Sequence, residues 1–104
     1  MRIENRYGFW ILFMDRGISF FEIGCIYLTV FDYGLYLEYF EVYEPFRGIG
    51  YGTEMYKWFE KYAKRRGVKR IVLMPYDSAV GFWNKMGFKR PLRMASGMAK
   101  ELRE

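Results

Sequence analysis

The six residues Arg47-Gly48-Ile49-Gly50-Tyr51-Gly52 constrain this chain more than any other stretch. They stand where a strand pattern ends, at Glu44-Pro45-Phe46, and a helical pattern begins. Glycines at 48, 50 and 52 allow a sharp turn and leave the main chain open to close approach. The leading amides of the helix that follows have no intrahelical partner, and they carry the positive end of its dipole. Such a corner is suited to holding a phosphate or pyrophosphate on backbone N–H groups. A plain strand-to-helix turn has the same composition, so the loop alone leaves both readings open.

The sequence on either side of the loop sets the fold class. Tyr7 to Met14 is rich in aromatic and branched residues and reads as a strand, with Asp15-Arg16-Gly17 as a turn. Ile18 to Phe31 is a second, longer run in which Gly24 marks a bulge or bend. After the turn Asp32-Tyr33-Gly34 comes a third strand, Leu35 to Tyr43, apolar on both faces like a central strand covered on both sides. The connections are too short for crossovers, so the three form an antiparallel meander. From Gly50 to Arg66 the period changes, and Met55, Tyr56, Phe59, Tyr62 and Ala63 make a helical stripe that Gly67 ends. Ile71 to Met74 is a short buried strand stopped by Pro75, and a right-handed crossover makes it parallel to the 35–43 strand. Asp77 or Ser78 is placed to cap a second helix, about Ala79 to Met86, ended by Gly87. The tail from Phe88 to Leu102 reads as an irregular final strand or two. The expected architecture is a single α/β domain over residues 1–104, a mixed sheet in which a meander leads into a strand-helix-strand-helix unit.

Several chemistries are excluded at once. The chain has no histidine, which removes a Ser-His-Asp triad, a Cys-His pair and most zinc sites, and no metal is expected. Its one cysteine, Cys25, lies in an apolar run and reads as a structural thiol. No signal peptide is visible and no apolar stretch has the length of a membrane span, so the expectation is a soluble, cytoplasmic protein. Charge is divided unevenly. Residues 1–46 hold three Arg against seven Asp/Glu, a net −4, and residues 47–104 hold fourteen Lys/Arg against five Asp/Glu, a net +9. The basic half begins at the glycine loop, which suits an anionic ligand there. A nucleic-acid partner is not expected, because the basic residues of the 57–70 stretch fall on the solvent side of an amphipathic helix. Ten Tyr, ten Phe and three Trp exceed what one small core holds, which points to an interface or a ligand groove.

A second phrase follows the loop at a fixed distance, Ala79-Val80-Gly81-Phe82-Trp83-Asn84-Lys85-Met86-Gly87-Phe88. Together the two resemble the GNAT superfamily of N-acetyltransferases. That family's pyrophosphate loop reads Arg/Gln-x-x-Gly-x-Gly/Ala, here Arg47 to Gly52, with Val42 five residues ahead of the Arg. Its later segment has Ala, an aromatic pair and Lys-x-Gly-Phe, here Ala79, Phe82-Trp83 and Lys85 to Phe88, and a Met98-x-Lys100-x-Leu102 ending is common. The resemblance implies acetyl-coenzyme A as cofactor. The amides of Ile49, Gly50, Tyr51, Gly52 and Thr53 would then cradle its pyrophosphate, with Arg47 and Gly48 also at the cofactor. Its arm would lie along Phe40, Glu41 and Val42 on one strand and Leu73-Met74 on the next, with Ser78 and Trp83 also in contact. For the 3′-phosphate, Lys85, Lys89 and the Lys64-Arg65-Arg66 cluster stay open as alternatives.

The resemblance also carries departures. Many members have a tyrosine in the aromatic pair as the acid for the leaving thiolate, and here Trp83 stands in that place. The histone-acetylating branch likewise has an aromatic without a hydroxyl there and relies on a glutamate base from the preceding strand. By position that is Glu38, a carboxylate among apolar neighbours, with Glu41 as the alternative should a bulge change which residue faces the groove. Tyr76 is a further source of a hydroxyl. Members usually begin with a strand and two helices that wall the acceptor site, and the sequence before Tyr7 has no room for them. An open front of this kind is expected to be closed by a second subunit, giving a homodimer through the aromatic N-terminal strands. The function implied is direct transfer of acetyl to an amine acceptor, either a small molecule or a protein lysine or N-terminus. The alternative is a catalytically degenerate coenzyme A-binding or protein-interaction module of the same fold.

Overall fold

The computed structural model describes residues 1–6, 9–15, 22–32, 34–90 and 97–103. Six strands form one sheet in the order β1 to β6: β1 Arg2–Arg6, β2 Phe9–Asp15, β3 Glu22–Phe31, β4 Gly34–Val42, β5 Arg70–Leu73 and β6 Met98–Glu101. Helix α1 is Tyr51–Arg65 and α2 is Val80–Lys85, with short 3-10 turns at Glu44–Phe46 and Asp77–Ala79. Neighbouring strands are antiparallel except β4 and β5, which run parallel as the crossover rule requires. The turns expected at Asp15-Arg16-Gly17 and Asp32-Tyr33-Gly34, the start of the first strand at Tyr7, and part of the tail fall on residues 7, 8, 16–21, 33 and 91–96, outside the described ones.

One face of the sheet carries the core. Leu12, Met14, Ile26, Leu28, Leu35, Leu37, Ile71 and Leu73 pack there against Met55, Tyr56, Phe59 and Ala63 of α1 and Trp83 of α2. The α1 stripe is the one its period predicts, with Tyr62 half-buried at its edge. Both helices end alike: the Gly67 and Val68 amides donate back to Lys64 and Ala63, and those of Gly87 and Phe88 to Asn84 and Trp83. Against expectation, neither Asp77 nor Ser78 caps α2 with its side chain. A 3-10 turn at Asp77–Ala79 leads directly into the helix and takes the place of a side-chain cap.

Two further features differ from the sequence reading. The meander has four strands, because Arg2–Arg6 pairs along β2 from Arg2↔Phe13 to Arg6↔Phe9. Only residues 7 and 8 separate β1 from β2, so the two helices usual between such strands are missing while the strand is present. β4 is central but not covered on both sides. Its pairing places Tyr36 with Thr29, Tyr39 with Tyr27, and Glu41 with Cys25 on the face away from the helices. Among the described residues no helix lies over that face. Tyrosine suits it, because the ring covers the sheet while the hydroxyl stays wet. No helix among the described residues is long and apolar enough to cross a membrane.

Gly24 sits where β3 bulges, the register shifting between Met14/Asp15 on β2. A Cβ at Gly24 would lie 2.1 Å from the Glu41 carbonyl oxygen and 3.1 Å from the Met55 sulfur. Behind α1, Tyr56 Oη donates to Glu60 Oε1 at 2.9 Å, Lys100 Nζ reaches Glu60 at 2.5 Å, and the same ammonium donates to the Met86 carbonyl at 2.7 Å. Burial pushes the Glu60 carboxyl up, but the hydrogen bonds from Lys100 and Tyr56 and the charges of Lys100 and Lys64 outweigh it, leaving Glu60 below the ordinary glutamate range.

Two outcomes follow. Gly24→Ala forces the β3–β4 pair apart, and overpacking of this kind costs about 1–3 kcal/mol, read as a lower denaturant midpoint with an unchanged slope. A depressed carboxyl contributes stability that is present above its unfolded pKa, about 4.3, and lost as pH falls through the folded value. Glu60→Gln is expected to cost about 1–3 kcal/mol at neutral pH and to flatten the fall in stability with acid, measured by urea titration from neutral pH downward.

Candidate active site

The site is opened by the place where two strands stop pairing. β4 and β5 pair from Gly34↔Arg70 to Leu37↔Leu73 and no further. β4 continues to Val42, whereas β5 ends at Leu73, followed by Met74 and Pro75. Pro75 has no amide hydrogen to extend the ladder. At the same level β4 carries an extra residue: Tyr27 faces Tyr39 and Leu28 faces Leu37, which leaves Glu38 as the bulge. Bulges re-aim side chains beside functional sites. The result is a cleft of about 730 Å³ between the end of β4 and the Met74–Tyr76 segment, with α1 and α2 at its far side. That volume lies within the range of small-molecule sites.

The cleft brings together most of the residues expected of it. Glu38, Phe40, Glu41 and Val42 line it from β4, Arg47 and Gly52 from the loop, and Tyr76, Ser78 and Trp83 from the other wall. Gly48, Ile49 and Gly50 are exposed in the loop, outside the cleft lining, with Tyr51 and Thr53 partly covered in the first turn of α1. Tyr51 packs edge-on against Phe46 at 5.9 Å between ring centroids. The floor is aromatic: Trp83 is 5% exposed and meets Phe40, Tyr56 and Phe88 edge-on at 5.2, 5.6 and 5.2 Å. None of Lys64, Arg65, Arg66, Lys85 and Lys89 lines the cleft, and Lys64 and Arg66 are engaged with Glu60 and the Tyr62 ring. The sequence reading left out Tyr39, Pro75 and Phe82, which also line it. Their signal was adjacency: each stands beside a residue already singled out, and only the strand bulge and the pitch of α2 bring them to the cleft.

The loop is built as the glycines imply. Gly48 and Gly50 have φ of +81° and +94°, a left-handed conformation that costs an L-residue about 1–2 kcal/mol. Gly50 is the N-cap of α1 and supplies no side chain to its amides; the Glu54 amide donates to its carbonyl at 3.2 Å. The N–H groups ahead of Glu54 have no helical carbonyl one turn back to bond. Gly52 is different: a Cβ there would meet Phe82 at 3.5 Å and Val42 at 3.7 Å, ordinary contacts. Arg47 folds back on the strand it follows. Its Nε donates to the Val42 carbonyl at 2.7 Å, and a second guanidinium nitrogen lies 3.4 Å from Glu41 Oε2.

These contacts separate the two candidate carboxylates. Glu41 is held by Arg47 and by the Tyr39 hydroxyl, and burial together with Glu41 raises that phenol above its ordinary pKa. Glu38 is exposed at the bulge, and Thr29 Oγ1 donates to its Oε1 at 3.2 Å. Tyr76 is 76% exposed beside them. Cys25 is buried, and burial raises its thiol despite a hydrogen bond with Tyr43, so it stays protonated and inert. Gly50→Ala is expected to destabilise the fold by about 1 kcal/mol or more, whereas Gly52→Ala is neutral or stabilising, both read by thermal melting.

This geometry has known counterparts. The profile of the Acetyltransferase (GNAT) family matches residues 3–88. No curated protein matches the sequence. Among solved structures, Tetrahymena GCN5 superposes with a TM-score of 0.82 at 15% identity, covering 94% of this chain and 71% of that one. The PaiA N-acetyltransferase of Thermoplasma acidophilum, in complex with coenzyme A, gives 0.68 at 22% identity, covering 78% of this chain and 54% of that one. A GNAT acetyltransferase of Elizabethkingia anophelis with acetyl-CoA bound gives 0.70 at 20% identity over 91% and 77%. At such identities the likeness is one of fold, and the mixed sheet with its two helices is that of GCN5. Because the family profile spans most of its length, the chain belongs to the GNAT acetyltransferase family.

Proposed function

We propose that this chain is an acetyl-coenzyme A-dependent N-acetyltransferase that passes acetyl directly to an amine. The observation that carries this reading is the unpaired end of β4 facing a cleft beside a glycine loop of left-handed turns. The residues fit the group. Backbone amides from Gly48 to Thr53 suit a pyrophosphate, and the main chain from Phe40 to Val42, free of β5, suits an amide-bearing arm. Ser78 and Trp83 complete the opposite wall, and Arg47 braces the corner between strand and loop. Acetyl-coenzyme A, when bound, supplies the activated acetyl group.

The remaining work falls to this chain's own side chains. Glu38 accepts the proton of the incoming ammonium, with Thr29 orienting its carboxylate. Glu41 serves to fix Arg47 and Tyr39 rather than to take protons. Tyr76 adds an exposed hydroxyl to the cleft lining. No protein nucleophile is required for direct transfer, in keeping with the inert Cys25. The acceptor is an amine of a small molecule or a protein, reached through the uncovered sheet face. A second reading, a coenzyme A-binding module without turnover, is favoured by one observation: buried Trp83, which offers only an N–H, fills the place where a tyrosine acid would stand.

Calorimetric titration with acetyl-coenzyme A separates these outcomes from failure of the whole reading. Heat of binding together with acetylation of a panel of amines and basic peptides is expected. Glu38→Gln should lower kcat by about 10²–10⁴-fold while cofactor affinity holds. Binding without turnover selects the module, and a flat titration rejects both.

A further inference from the structure

β1 is one of the two outer strands of the sheet, and among the described residues no strand pairs with its far edge. A sheet edge offers main-chain N–H and C=O groups to any strand that fits it. Alternation sorts the side chains of β1: Ile3 pairs with Leu12 on the helix side, while Arg2 and Glu4 pair with Phe13 and Ile11 on the other. Ile3 is 39% exposed and lines an apolar trough of about 530 Å³ between the first four strands and the second half of α1. Val30 and Trp10 in the same trough are 62% and 43% exposed. An apolar groove opening at an unpaired edge is an unfinished surface.

We propose that a second copy of this chain pairs antiparallel along the β1 edge, with Ile3 opposite Ile3, so that the two six-stranded sheets become one. Charge and the apolar trough together select the register: only with Ile3 on the axis do opposite charges and the two Ile3 side chains meet at once. With Ile3 on the two-fold axis, each Arg2 faces the other copy's Glu4, giving two opposite-charge cross-strand pairs. Shifted to put Glu4 on the axis, the same strands set Glu4 against Glu4 and Arg2 against Arg6, and like charges opposite one another are destabilising. Charges of mixed sign two residues apart thus guard the edge against a one-residue shift of the axis and leave it open to its own copy. Arg2 already lies beside Glu4 and Glu22 of its own chain, the latter at 3.0 Å, so its guanidinium is held on the face where the second Glu4 would arrive. A two-fold perpendicular to the sheet keeps both copies' helices on one side, so the two troughs adjoin across Ile3. The symmetry is closed, as isologous pairing requires.

A disulfide tests the register. The native cysteine is buried, so Ile3→Cys provides the one exposed thiol, and directly opposed antiparallel residues lie within disulfide reach. Ile3→Cys is expected to form a covalent dimer on mild oxidation, and Glu4→Cys to remain a monomer under the same conditions. In sedimentation the native chain is expected to dimerise. Arg2→Glu should weaken that dimer about tenfold, and the swap Arg2→Glu/Glu4→Arg should restore it. A native chain that stays monomeric at every concentration, or Glu4→Cys cross-linking as readily as Ile3→Cys, overturns the proposal. None of these readouts involves acetyl-coenzyme A, so a missing dimer and a missing transferase activity register separately.

Discussion

Everything specific to this molecule depends on β4 losing its parallel partner partway along. Up to Leu37 the strand is fully engaged on both sides, and beyond it only β3 remains. Main-chain donors and acceptors left facing a cleft must find water or a ligand. A peptide-like ligand supplies both kinds of group in alternation, which is why such a gap suits a chain of amides better than a compact solute. The gap stays open because its walls are held from outside. Pro75 blocks the ladder on one side, and Arg47 ties the end of the other to the loop through the Val42 carbonyl.

Arg47 shows how a sequence motif is legible without its purpose being legible. The position, the glycines after it and the helix behind them could all be read from residue order. That its guanidinium spends its hydrogen bonds on Val42 and Glu41 could not, because this depends on the chain turning back through the Glu44–Phe46 3-10 turn. The same fact gives Glu38 and Glu41, alternatives in the sequence alone, different surroundings. One carboxylate braces the loop, and the other stands exposed at the bulge, where a threonine hydroxyl donates to it.

The strands and helices divide in the same way. The α1 stripe, the β4 strand and the parallel β5 were readable because apolar periodicity and a crossover rule act over many residues. β1 was not, since Arg-Ile-Glu-Asn-Arg contains a single apolar residue and has no alternating pattern. Its strand character comes from pairing with β2, a tertiary cause. The cover of β4 was misread for a related reason: a run such as Leu-Tyr-Leu-Glu-Tyr-Phe is apolar on both faces, yet its tyrosines are satisfied half in water. The Gly24 bend, by contrast, was visible because a missing side chain signals a close approach, here of the Glu41 carbonyl.

The floor of the cleft links stability to chemistry. Trp83 is held edge-on by Phe40, Tyr56 and Phe88, and Tyr56 is in turn hydrogen-bonded to Glu60, which Lys100 joins to the end of α2 through the Met86 carbonyl. β6, α1 and α2 are therefore coupled behind one wall of the site, while the opposite wall is a strand end paired on one side alone, with β3, and tied to the loop by Arg47. Closely packed aromatic rings cannot yield by small steps. Any adjustment to a ligand consequently falls on the Met74–Tyr76 segment, which carries no ladder bonds, and on the exposed Glu38 bulge. The residues given the chemical roles are thus those the fold leaves movable, and the residues that cannot move set the distance between them.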